Sequence, residues 1–116
     1  MVRAYKKLHW TEHSKAKMKQ YRLSKYKLMQ LISKPQRREE GIVSGTTAVM
    51  QTNKTYSRAK LPGQKTKAAG EVWLMYRDVK DLRKIISAWR YPGVSKPGEE
   101  IPIPHEIREE LLHQEL

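Results

Sequence analysis

His13 and Lys17 stand four residues apart, a spacing that stacks two side chains on one face of a helix and brings an imidazole and an ammonium within reach of one anion. An imidazole titrates near neutrality and can give or take a proton there, while an ammonium can hold a phosphate oxygen. Arg77, Arg83 and Arg90 add guanidinium forks in strand-like segments, and such a fork meets a phosphate with two parallel donors. Tyr91 offers a phenol as proton donor or stacking surface. These are the parts of a metal-independent RNA cleavage. The substrate's own 2′-OH attacks, and the protein moves protons and stabilises charge on the phosphate. The candidate catalytic set is therefore His13, Lys17, Arg77, Arg90 and Tyr91. Each has a structural alternative: His13 orienting a helix, Lys17 solvated, the arginines covering an outer strand face, and the tyrosine packed in the core.

Charge points to the same class of partner. Residues 1–91 hold 22 of the 24 Lys and Arg against six acids, a net of +16, while residues 92–116 carry a net of −4. A basic body attracts nucleic acid at long range and releases counterions on binding, before any base is read. The candidate RNA-contacting residues are Arg37, Arg38, Lys54, Arg58, Lys60, Lys65, Lys67 and Arg83. Five of them fall in 53–70, a stretch without an acid that is punctuated by Pro62-Gly63 and Gly70 and reads as a basic loop. Cysteine is absent and the four histidines lack ligand spacing, so neither a metal nor a cofactor is expected. No apolar run approaches the roughly 20 residues that cross a bilayer, and Met1–Lys7 lacks the core of a secretory signal. The expected location is cytoplasmic, with no membrane partner. Glu39 and Glu40 are the only acid pair in the body, and adjacent residues on a strand point to opposite faces, which argues against a paired-carboxylate hydrolase.

The elements that must position these residues are legible in outline. Thr11 is placed to cap a helix running to about Tyr21, with Glu12 at its positive end. Ser24 restarts a second helix over about Lys25 to Ser33, flanked by the Leu23–Leu28 staple pair and stopped by Pro35. Beyond Pro35 the period changes to that of strands, and a β-hairpin is expected from Ile42-Val43 and Thr46–Thr52. Glu71–Arg77 alternates, with Val72, Leu74 and Tyr76 on one face and Trp73, Met75 and Arg77 on the other. Leu82–Tyr91 follows as a second strand across the turn Asp78–Asp81. With no Phe in the chain, Trp10, Trp73 and Trp89 are assigned to the core. A domain over 1–91 and a Pro-rich acidic tail over 92–116 follow. The tail ends in a short helix over His105–Glu115 that either lies across the basic surface or stays solvated.

The run His13-Ser14-Lys15-Ala16-Lys17-Met18-Lys19-Gln20-Tyr21-Arg22-Leu23-Ser24, a second helix and Lys34-Pro35 resemble the opening of the small toxin-like domains related to BrnT. Leu82–Arg90 is similar to the arginine-rich strand that ends those domains. The family pattern carries arginines at the positions of Lys17 and Tyr21, and another where Trp89 stands. The resemblance implies an α+β fold of the wider RelE-like ribonuclease group, with a two-helix hairpin packed on an antiparallel sheet. It also implies action on RNA, with the ribosome as a possible setting, and an antitoxin protein as partner. The expected function is a toxin-like metal-independent ribonuclease; the alternative is a non-catalytic RNA- or ribosome-binding module on the same fold.

Overall fold

A computed structural model describes residues 7–52 and 70–113. Strand β1 spans Lys7–Trp10 and leads directly into helix α1, Glu12–Tyr21. Thr11 is the hinge between them. Its hydroxyl accepts from Ser14 N at 3.1 Å, capping α1, and donates to the Ile85 carbonyl at 2.7 Å, fixing the helix start to the sheet. Arg22 ends α1 in the left-handed conformation, with its N–H on the Lys19 and Met18 carbonyls. Ser24 caps helix α2, Lys25–Ser33, through Lys27 N, and α2 ends two residues before Pro35, with Lys34 as its C-cap.

Strands β2 (Arg37–Glu40), β3 (Thr46–Thr52), β4 (Glu71–Val79) and β5 (Leu82–Tyr91) follow, then helix α3, His105–His113. The sheet order is β1-β5-β4-β3-β2. All pairings are antiparallel except β1 on β5, which is parallel, so the sheet is mixed rather than antiparallel as expected. The reason is β1 itself. Four residues with two polar side chains carry too little period to be read as a strand, yet their backbone pairs with Leu82–Ile85. The first strand after Pro35 also differs from expectation. It is Arg37–Glu40, not Ile42-Val43, which lie in the turn and pack their side chains against the core.

Both faces of the central strands are buried. On one face Val72, Leu74 and Tyr76 of β4 meet Met18, Leu23, Leu28 and Leu31 from the two helices. On the other, Trp73 and Met75 meet Ile86 and Trp89 of β5 together with Ile101, Ile107 and Leu111 from the tail. Trp73 and Trp89 are fully buried and stack nearly parallel at 6.2 Å. The alternation of β5 slips where the β4–β5 register shifts at Met75/Tyr76, so Ile85 and Ala88 share one core and Ile86 and Trp89 the other.

A polar network holds the tail to this second face. Glu71, 1% exposed, accepts from Trp73 Nε1 at 3.1 Å, from Ser95 Oγ at 2.7 Å and from Ser95 N at 2.9 Å. Arg37 lies over the Trp73 ring and donates to Ser95 Oγ, Glu39 and the Glu99 carbonyl. Glu71, a buried carboxylate with both oxygens bonded, holds this geometry, and removing it strands its partners. Replacing Glu71 by Ala is expected to lower unfolding stability by about 2–4 kcal/mol, read from urea midpoints. A loss below about 0.5 kcal/mol would mean that the network does not anchor the tail.

Candidate nucleic-acid interface

Helix α1 presents two opposite charged stripes. His13, Lys17 and Gln20 recur at helical spacing on one side, and Lys15, Lys19 and Arg22 on the other. The inner stripe faces α3. Lys17 is buried, and its Nζ lies 3.2 Å from Glu106, 3.3 Å from Glu110 and 3.0 Å from Gln20 Oε1. Gln20 also donates to Glu106 at 2.7 Å. Burial works to lower the Lys17 ammonium, but the hydrogen bonds to Glu106 and Glu110 outweigh it and keep its pKa above the ordinary lysine value. Hydrogen bonds from Gln20 and Lys17 hold the Glu106 carboxyl below the usual range.

His13 joins the same cluster. Its Nε2 lies 3.2 Å from Ser87 Oγ and 3.2 Å from Glu110 Oε2. Burial pushes the imidazole below its ordinary value, against the raising field of Glu110 and with that of Lys17. A serine, a histidine and a carboxylate are thus together, but both partners approach the same ring nitrogen. A nucleophilic triad needs the carboxylate on the opposite nitrogen and a serine open to substrate, whereas Ser87 is fully buried. Tyr21 lies beside the cluster with its phenol raised by burial and then by Glu106, so it stays protonated at neutral pH.

The two expected catalytic side chains of α1 are therefore brought together, and the place where a phosphate would sit over them is filled by the carboxylates of α3. This cover belongs to the core. Ile101, Ile107 and Leu111 are buried, and at about 1.5–3 kcal/mol for each side chain their exposure would consume much of a small domain's stability.

The other expected residues lie elsewhere. Arg90 caps α1 from the sheet, donating to the Tyr21 carbonyl at 2.7 Å and the Arg22 carbonyl at 3.1 Å. Tyr91 pairs with Glu71 at the end of β5, and Gly93 runs so close that a Cβ there would stand 2.9 Å from its ring. Arg77 is half-buried in mid-sheet, opposite Lys84. Arg83 makes two hydrogen bonds to Asp78 and lies 4.2 Å over the Tyr76 ring, so its fork is occupied. Arg37 is buried in the tail network, while Arg38 is exposed beside Glu39, Glu40 and Gly45 around a shallow hollow. Lys54, Arg58, Lys60, Lys65 and Lys67 lie outside the described residues.

What remains open is the outer surface of α1 and α2. Residues 12–34 hold seven cations against one acid; Lys17 turns inward, and Lys27, half-buried, donates to Gln51 Oε1 of β3 at 3.2 Å. Lys15, Lys19, Arg22, Lys25 and Lys34 are exposed, and among the described residues the single carboxylate available to them is Glu12, 3.4 Å from Lys15. Tyr26 stands in their midst, 73% exposed. It lines an apolar hollow of about 410 Å³ with Leu8, Met29 and Ile32. Sequence reasoning missed this surface because it weighed α1 for catalysis and α2 only for its buried stripe. The signal was present in the run of Lys and Arg that Leu28, Leu31 and Met18 leave facing outward. Among the described residues no group of three or more His, Asp or Glu is placed to hold a metal ion, and no helix is long and apolar enough to cross a membrane. Neither a protein-family model, nor a curated protein, nor a solved structure matches the chain.

The depressed imidazole has a sign. Below its ordinary value near 6.5 the unfolded chain takes up a proton that folded His13 resists, so the folded state is fully favoured above that pH and loses ground as pH falls through it. In urea titrations from pH 8 to 5, His13→Gln is expected to show a shallower loss of stability than the wild type. Parallel curves would sink the assignment. The Glu106 contribution, present above the ordinary carboxylate range and lost below it, lies at more acid pH and does not overlap.

Proposed function

We propose that the chain is an RNA-binding module, working without chemistry at the His13–Lys17 face, on the helical-hairpin-and-sheet plan that its resemblance to BrnT-type toxins implies. The observation that carries this reading is the uncompensated cationic hairpin with an exposed aromatic among its lysines. Such a surface follows a phosphate backbone by charge and takes a base on the ring, which suits a single strand. The cationic stretch 53–70 adds charge to the same chain.

Cleavage is supported less well. A reacting phosphate at His13 must meet Nε2 or Lys17 Nζ, and both already face α3 carboxylates within 3.3 Å. Two negative charges there repel a third. The toxin-like ribonuclease would need α3 displaced, and the burial of Ile107 and Leu111 opposes that.

The test is binding of a labelled single-stranded RNA across a salt series. Joint replacement of Lys19, Arg22 and Lys25 by Gln is expected to weaken binding about 10- to 100-fold near 0.1 M salt and to flatten the log–log slope by about two units. Tyr26→Ala is expected to weaken it further, by roughly 1–3 kcal/mol and with little change of slope. In chelator the RNA stays full length with or without His13→Ala. Binding indifferent to the triple change, or cleavage that His13→Ala abolishes, would overturn the proposal.

A further inference from the structure

The sheet carries a second group of basic side chains that the surface of α1 and α2 does not include. Arg77 of β4 is directly opposite Lys84 of β5, and His9 of β1 is the partner of Lys84 on the other side. Residues paired across neighbouring strands project to the same face, with Cα atoms about 4.5–5.5 Å apart. The face is fixed by the rung beside it. Trp10, Ile85 and Tyr76 all pack into the core formed with the two helices, so His9, Lys84 and Arg77 project from the opposite side. Lys7, one rung further on, shares that side.

Like charges directly opposite on a sheet repel, and their usual partner is an acid. Here the row has none. Among the described residues no hydrogen bond or ion pair engages the side chains of Arg77, Lys84 or His9. Asp78, the nearest acid along β4, lies on the other face with Arg83, and Asp81 belongs to the turn at the strand ends. Gly45 stands beside Arg77 with φ +84°, a conformation that favours glycine, so no side chain stands on the flank where a Cβ would lie 3.8 Å from the guanidinium. The row also follows directly on the register shift at Met75/Tyr76, which aims Lys84 at this face; bulges commonly re-aim a side chain beside a site.

We propose that His9, Lys84 and Arg77 form a phosphate-binding rung on this face, where one phosphate group bridges the Lys84 ammonium and the Arg77 fork and so converts a repulsion into a shared attraction. The recognised chemistry is a phosphate group, carried by a free phosphate compound or by an RNA backbone. The rung is separate from the hairpin surface and rests on the RNA-binding reading only where the phosphate belongs to RNA.

Thermal unfolding of the full chain at pH 7.5, in pyrophosphate and in sodium chloride at matched ionic strength, tests it. Phosphates also stabilise proteins by exclusion from their surface, so the quantity read is the pyrophosphate increment in the wild type minus that in Lys84→Gln. The wild type is expected to gain a few degrees more than the variant. In chloride alone Lys84→Gln is expected to melt slightly above the wild type, because a repulsion is gone. Arg77→Gln loses the increment as well, whereas the Lys19, Arg22 and Lys25 triple variant keeps it. Equal increments in the wild type and Lys84→Gln would overturn the rung, whatever the RNA results. With the increment established, Lys84→Gln is then titrated with the same RNA. A salt slope smaller by about one unit assigns the phosphate to RNA, and an unchanged slope assigns it to a free phosphate compound.

Discussion

Strand β4 is apolar on both faces, and this sets the terms for everything packed around it. Val72, Leu74 and Tyr76 need cover on one side, Trp73 and Met75 on the other, and each face left to water would forfeit several buried side chains. Helices α1 and α2 cover the first. In a chain of this length few apolar residues remain for the second, and the tail is where they are: Ile101, Ile107 and Leu111 close over the stacked Trp73 and Trp89. Trp89 Nε1 donates to the Pro102 carbonyl at 2.9 Å, so the tryptophan that needs burial also supplies a hydrogen bond to the segment that buries it.

The charge pattern follows from that packing. Once Ile107 and Leu111 point into the core, the helical period carries Glu106 and Glu110 toward α1, where Lys17, Gln20 and His13 receive them. These two acids of α3 are thereby engaged by the inner stripe of α1, while Glu109 pairs with His113. The outer stripe, the start of α2 and the Lys84–Arg77 pair keep their positive charge, so the basic excess is concentrated outside the seam between α1 and α3. An acidic tail in this fold does not neutralise the basic body; it sorts it into a paired interior seam and an unpaired exterior.

Local signals were legible because local physics decides them. Thr11 and Ser24 cap where a hydroxyl precedes a run with free N–H groups, Pro35 stops α2, and the alternation of β4 assigns Val72 and Trp73 to opposite faces correctly. What failed depends on partners far along the chain. Arg37–Glu40 carries no strand propensity, and Arg37 is buried only because Trp73, Ser95 and the Glu99 carbonyl receive it. Likewise β1 exists through pairing with β5, about 75 residues away along the chain. The i,i+4 spacing of His13 and Lys17 did place them on one face, but nothing in that spacing tells whether the face meets solvent or α3.

The same limit explains why Lys84 and His9 were not singled out. A cross-strand row exists only after register is set, and here register depends on a shift within the β4–β5 pair and on a parallel edge strand. Without that shift Lys84 would stand opposite Asp78 on the helix side, while Ile85 would take its place opposite Arg77. The irregularity therefore decides which cation is paired with Asp78 and which is left uncompensated. A strand regular throughout would have to choose between burying Ile85 and Ala88 on one face and burying Ile86 and Trp89 on the other. Packing demands both, so the bulge that satisfies the two cores is the feature that also exposes the row of charge.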